Sequence, residues 1–483
     1  MSSHGERSPD ADLGLLDATM IGMGAMIGAG IFVLTGLAAE IAGPAAILVF
    51  VLNGVVTAFT GLSYAELASS IPKSGGGYAF VREVFDDFSS FLMGWMLWFA
   101  YMIAGGLYAL GFAPNFLELL HVYDVTPAPD AVGAVALPVV DAGVPIAVLL
   151  ASAAVFLLVG LNALSTAASG SVETIFTLIK VSILVVFVAF GFTSPMFSSA
   201  EFQPLFPGDA GAFSILPAMG LTFIAFEGYD LITTVTEEVE NPRENIPKAI
   251  FVSLGVTVLV YLAVVGVAIG TLGAEGLAAA GEAGIAQAAT AFMPTGLPVI
   301  QNGGAIIVFG AVFSTLTALN AVVIASSRVA FSMGREEQLL PSFGQLHHRY
   351  GTPFVAILAS GVVMLGSVAL PTQSAGNMSS LFFLLSFIVV NGSVIKLRRE
   401  RPDMNRPYEM PYYPLPPILG ILLNLLLTGV LVRYLLRTDT LALLLSIGWI
   451  GLGAAAYAVY VLLRSEESEE EEPDTDQPIP GND

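Results

Sequence analysis

The chain has 483 residues, 55% hydrophobic and 12% charged, with a formal net charge of −22 and a mean hydropathy of +0.80. A water-soluble globule carries roughly a quarter of its residues charged, so this composition belongs to a chain built for a bilayer. The acidic balance argues against nucleic acid or anionic lipid as a partner, and the absence of cysteine excludes disulfides, thiolate metal sites and cysteine nucleophiles.

The first residues form a polar tail, 1–14, with Ser8, Pro9, Asp10 and Asp12. It lacks a basic stretch and a small-residue cleavage site, so no removable leader is expected. Hydrophobic stretches of about 20 residues then recur, each long enough to cross a hydrocarbon core of roughly 30 Å. Spans are predicted at 17–40, 44–70, 89–119, 144–162, 171–192, 212–236, 250–273, 300–328, 353–371, 379–395, 416–436 and 441–463. The Ala/Gly-rich run 274–298 is expected to lie outside the membrane and to contain a short helix. A charged, unstructured acidic tail is expected over 465–483.

Placing the N-terminus in the cytoplasm puts 14 of the 17 Lys and Arg residues on inward-facing segments. Arg433 and Arg437 fall outside, and Lys180 falls within a span. The positive-inside bias therefore predicts a multi-pass protein of the cell membrane with both termini cytoplasmic and an even number of spans.

The first span reads Ile21-Gly-Met-Gly-Ala-Met-Ile-Gly-Ala-Gly-Ile-Phe32, with four glycines deep in the bilayer. Gly24 and Gly28 fit a small-residue helix-packing spacing. The same glycines also fit an unwound segment whose backbone groups bind a solute. The sixth span, Leu221-Thr-Phe-Ile-Ala-Phe-Glu-Gly-Tyr-Asp-Leu231, carries Glu227, Gly228 and Asp230 inside an apolar stretch. Interruptions at matching places in two five-span halves point to a transporter site at a repeat interface. Half-helix N-termini supply N–H donors for a carboxylate, and C-terminal ends supply carbonyls for an ammonium. A zwitterion satisfies both, so an amino-acid-like or amine solute is predicted.

Three stretches together resemble the amino acid–polyamine–organocation (APC) family of permeases. They are Gly28-Ala-Gly-Ile-Phe32, Ser63-Tyr-Ala-Glu-Leu67 running into Pro72-Lys-Ser-Gly-Gly-Gly-Tyr78, and Phe226 to Ile250. The resemblance extends from about Leu15 to Arg464. It implies an all-α polytopic fold of about twelve transmembrane helices, built as a five-plus-five inverted repeat with helices 1 and 6 broken. Repeat one would cover about 15–195, repeat two about 205–396, and two extra helices about 416–464, so that the permease domain is 15–464. It further implies that Ile27, Gly28, Ala29 and Gly30 surround the solute carboxylate. Carbonyls near Ala225 and Phe226 would face the amine, with Glu227 beside them and Tyr229 as an aromatic gate and side-chain selector. A lysine on helix five stands where sodium-coupled relatives bind a cation, and Lys180 matches it. The resemblance thus suggests secondary active amino-acid transport by alternating access, sodium-independent and coupled to protons.

Lys180 lies about two turns into its span, where an ammonium is expensive, and such residues usually mark a pathway; snorkelling to the interface is the bland alternative. Ser326 and Ser327 are its expected neighbours. Glu227 must find a partner or neutralise. A hydrogen bond within the bundle, a basic group on the solute, and Lys180 itself all remain open as that partner. Glu66 lies near a cytoplasmic helix end and reads as solvated or in a structural ion pair, and the stretch from Glu237 to Lys248 reads as a charged loop that holds the inner end of the sixth span, with Pro242 and Pro247 ending and restarting structure. His347 and His348 read as a solvated loop pair. No cofactor, metal or catalytic residue is expected, and the chain is not read as an enzyme. Exchange of amino acids or polyamines is the nearest rival to proton symport, followed by a sensor that binds without transporting.

Overall fold

The computed structural model describes residues 13–127, 133–137, 140–164, 170–206, 211–297 and 301–470. The first span is split into α1 (Leu15–Met26) and α2 (Ala29–Ala42), and α3 (Ala46–Ser70) returns across the bundle. A short helix α4 (Gly76–Val84) leads to α5 (Asp87–Val122). The latter begins on Asp86, whose carboxylate accepts from Ser89 N–H at 3.1 Å, an N-cap that satisfies one of the orphan donors of the first turn. Then follow the hairpin β1 (Ala134–Leu137) and β2 (Val140–Pro145), α6 (Ile146–Leu164) and α7 (Gly170–Thr193).

The sixth span comprises α8 (Ile215–Thr222), a 3-10 turn Phe223–Phe226, a non-helical turn, and a second 3-10 stretch Leu231–Glu238. α9 (Pro242–Ala280) and α10 (Gly284–Phe292) lead through the antiparallel pair β3 (Thr295–Leu297) and β4 (Gln301–Asn302) to α11 (Gly304–Arg335). The chain closes with α12 (Phe354–Ser367), α13 (Thr372–Glu400), α14 (Leu415–Thr438) and α15 (Thr440–Glu470).

Among the described residues ten apolar stretches are long and hydrophobic enough to cross a membrane. One of them, Leu15–Ser70, holds both the broken first span and α3, and the shorter α12 adds one more. The expected twelve crossings are thus present in an all-α, multi-pass fold, and both expected breaks fall in spans one and six. Several bounds differ. The seventh span runs past residue 273 to Ala280, turning at Gly273, where φ is +74°. Its first turns also run straight through Pro247. A proline this early forgoes a hydrogen bond only to the opening turn, so it does not restart the helix as expected. The short helix expected in 274–298 is α10. Residues 1–12 and 471–483, which hold most of the two expected tails, lie outside the described residues.

α5 forms the axis of the bundle, packing along α11, α13 and α6, while α9 packs along α3 and against both halves of the first span. Of the two readings for Glu66, near the end of α3, the structural ion pair is the one formed, and the side chain is buried and not solvated. Arg398 donates to both of its carboxylate oxygens at 2.7 Å, and Met410 N–H adds a third bond at 2.8 Å. At the end of the bundle where α1 starts, Leu13 forms a parallel bridge to Val239, and Arg328 pairs with Glu238 at 3.0 Å. The end of the sixth span, where the expected charged stretch begins, is tied down at this point.

Candidate functional site

Two short unwound segments meet at the centre of the bundle. In the first span the helix stops at Met26; Ile27 (φ −76°, ψ 57°) and Gly28 (φ −112°, ψ −136°) leave helical geometry before Ala29 opens α2. The first residues of α2 therefore carry N–H groups without intrahelical partners. In the sixth span Glu227 is extended (ψ 140°) and Gly228 has φ +141°, a conformation open to glycine alone.

Small residues permit this meeting. A Cβ on Gly30 would lie 2.7 Å from Ala225 Cα, one on Gly28 would lie 2.5 Å from Ala318 Cβ, and one on Gly228 would lie 2.7 Å from Met26 N. Of the four glycines of the first span, Gly22 and Gly24 stay helical within α1, while Gly28 both leaves helical geometry and packs closely on α11. The glycines let one break lie on the other, with Gly30 against Ala225 and Gly228 against Met26.

Around the first break several backbone carbonyls are met by side chains from other helices. Lys180, with no solvent exposure, donates to Gly24 O at 2.8 Å and to Thr317 Oγ1 at 2.8 Å. Its partner on α11 is Thr317 and not the expected Ser326 or Ser327, which donate to the carbonyls of Val323 and Ile324. Lys180 does not snorkel; its ammonium turns inward onto the backbone of the first span. Ser314 donates to Ile27 O at 2.6 Å, and Thr177 to Met20 O at 3.1 Å. The Tyr261 hydroxyl is shared between the carbonyls of Met26 and Ala225, the latter at 2.8 Å, and so ties the two breaks together.

The second break is fixed from its flanks. Asn53 donates to Met219 O at 2.9 Å, and Ser380 accepts from Ile224 N–H at 3.1 Å. Asp230 accepts from Tyr101 at 2.6 Å and from Gly228 N–H at 2.9 Å. Glu227, 3% exposed, has no hydrogen-bond partner on either carboxylate oxygen, and the hydroxyls of Tyr64 and Tyr229 have none either. Two of the alternatives for Glu227, a bond within the bundle and a direct pair with Lys180, are therefore not formed. Tyr229 is fully buried, edge-on to Tyr64 with ring centroids 5.4 Å apart, and beside Phe387 at 5.9 Å.

Sequence reasoning missed Ser314, Thr317 and Tyr261. The first two are three residues apart on α11 and share a face, a spacing that could have marked them. Tyr261 carries no comparable signal. Toward the end where α1 starts, a polar cavity of about 620 Å³ is lined by residues including Lys73, Ser74, Tyr78, Arg82, Glu237 and Glu336. At its edge Arg401 donates to Glu83 at 2.7 Å, and this bond, with help from Lys73, holds the Glu83 carboxyl below its ordinary range. Among the described residues no group of three His, Asp or Glu side chains could hold a metal.

A multi-pass bundle with two discontinuous helices in contact at its centre defines a membrane transporter. Residues 13–452 match the sequence model of the amino acid permease family, and the chain belongs to that family, of the APC type. It is a transporter rather than an enzyme. It is 30% identical to the branched-chain amino acid permease BcaP of Bacillus subtilis, over 95% of both chains. It is 28% identical to the methylthioribose transporter of the same organism, over 93% of both chains. It is also 28% identical to BcaP of Lactococcus lactis, over 92% of this chain and 93% of that one.

Proposed function

We propose that the protein is a secondary active amino-acid transporter of the cell membrane, sodium-independent and driven by protons, with its solute held between the two breaks. The observation that carries this reading is the contact of Gly30 with Ala225. It sets the N–H groups opening α2 against the carbonyl end of the 3-10 turn Phe223–Phe226. The solute carboxylate takes the backbone of Gly28, Ala29 and Gly30, beside Ile27, and its ammonium takes carbonyls near Ala225 and Phe226. Tyr229 stands at the wall that selects the side chain. The names of the relatives, two of them amino acid permeases, support the substrate class.

Lys180 is assigned to coupling. Its ammonium engages a carbonyl and a hydroxyl, the ligand types that a hard cation such as sodium prefers, so it stands in the place of such an ion. In this reading the chain forms two inverted repeats, 15–195 and 205–396, with α14 and α15 added and both termini cytoplasmic. The rocking of one set of helices on the other would open the site to each side in turn.

Uptake of radiolabelled amino acids into proteoliposomes under an imposed proton gradient tests it. Sodium-independent accumulation that collapses with the gradient is the expected result. Uptake that requires preloaded solute would assign exchange instead, and no uptake of any amino acid or polyamine would refute transport of this class.

A further inference from the structure

The buried side chains around the two breaks hold more negative charge than a zwitterion can answer. The buried ionisable groups around the two breaks are Lys180, Glu227 and Asp230, which sum to one negative charge when all are ionised. A neutral amino acid adds none. Lys180 is engaged on the first span and α11, and Asp230 on Tyr101 and Gly228 N–H. The charge left without a hydrogen bond is Glu227.

Protonation alone does not satisfy that side chain. A neutral carboxyl still needs an acceptor for its O–H and a donor for its C=O, and neither oxygen has a protein partner. The surroundings suit an ammonium or guanidinium better. Tyr229 is two residues from Glu227 in the chain, Tyr64 lies edge-on to Tyr229 with ring centroids 5.4 Å apart, and the hydroxyls of both tyrosines are without partners. The rings of Tyr64, Tyr229 and Phe387 form a cluster in which Tyr64 is edge-on to the other two. A carboxylate beside aromatic faces is the chemistry that recognises a compact cation.

Building on the amino-acid reading above, we propose that Glu227 is the counter-ion for a second positive charge on the solute. The preferred substrate is then an amino acid with a cationic side chain, not the aliphatic one for which two of the relatives are named. The side-chain cation would lie between Glu227 and the hydroxyls of Tyr64 and Tyr229, while the α-amino and α-carboxyl groups keep to the backbone of the two breaks.

The test is uptake by the full chain in proteoliposomes of lysine against norleucine, which has the same carbon skeleton without the terminal ammonium. Wild-type protein is expected to favour lysine by roughly tenfold to a hundredfold in half-saturation concentration. In Glu227→Gln the lysine-to-norleucine ratio should fall toward one, and Glu227→Asp should retain part of it. Norleucine or leucine taken up as well as lysine by the wild type would overturn the proposal and leave the amino-acid reading standing. That comparison needs no variant to fold. A Glu227→Gln protein that loses both substrates equally would place Glu227 on the α-amine, which also overturns it. Failure of the wild type to move any amino acid would refute the broader reading itself.

Discussion

The breaks in the first and sixth spans use the same backbone device and are finished differently. At the first, side chains from three other helices close on the exposed backbone: Lys180 on Gly24, Ser314 on Ile27 and Tyr261 on Met26. At the second, the backbone is braced on its flanks by Asn53 and Ser380, but the side chains that leave the turn, Glu227 and Tyr229, end in atoms without partners. Buried polar atoms are normally paired, and the exceptions concentrate where a ligand or a proton is to be held. Around the first break the carbonyls of Gly24, Met26 and Ile27 are thus held by struts from other helices, while the side chains of the second are left for a ligand to meet in the reading proposed above, and four substitutions test that division.

The largest effect is expected where the two touch. A Cβ on Gly30 would lie 2.6 Å from Ala225 Cβ and 2.7 Å from its Cα, and no rotamer change removes a backbone clash. Gly30→Ala should push the breaks apart, cost about 1–3 kcal/mol of stability, and reduce uptake to background at any substrate concentration. Uptake near the wild-type rate would mean that the contact is not the site.

Next comes the strut. Lys180→Ala removes a charged donor from Gly24 O and Thr317 Oγ1, each bond worth about 1.5–3 kcal/mol when one partner is charged. A fall in thermal stability is expected, together with loss of gradient-driven accumulation, while exchange of preloaded substrate persists. Unchanged pH dependence of uptake would remove Lys180 from the coupling step.

How far these residues could be read from the sequence follows the same division. Glycines at 22, 24, 28 and 30 inside one apolar span, and an acid-glycine pair inside another, announce their own exceptional positions, because both are expensive in a membrane helix. Lys180 announces itself by charge. The struts do not. Ser314, Thr317 and Tyr261 sit in spans that read as ordinary apolar helices, where hydroxyl residues are tolerated anywhere that they can bond their own backbone. Placing Thr317 and not Ser326 or Ser327 against Lys180 requires the relative depth of α7 and α11, which hydrophobic length does not encode. The unpartnered state of Glu227 is likewise a property of its neighbours.

A smaller effect is expected from Tyr261→Phe. The ring stays packed edge-on against Phe50 and Phe226, so only the shared hydroxyl is lost. Two buried carbonyls, of Met26 and Ala225, then lose a donor, and a destabilisation of about 1–3 kcal/mol follows. The melting temperature in detergent should fall, and added substrate, whose ammonium can replace the donor, should restore part of the difference.

The smallest effect sharpens the comparison most, because the chemistry of the substitution is identical. Tyr229→Phe also removes one hydroxyl from a fully buried tyrosine, but this oxygen has no hydrogen bond to lose. Removing an unsatisfied buried polar atom is close to neutral or stabilising, so the melting temperature should stay level or rise slightly. Substrate preference, not stability, should move if the unpartnered hydroxyl meets the solute side chain as proposed above. If Tyr229→Phe proved as destabilising as Tyr261→Phe, its hydroxyl would be structural after all, and the second break would be another strut. If stability is unaffected while the lysine-to-norleucine ratio shifts, the unsatisfied atoms of the sixth span are the ones that read the solute.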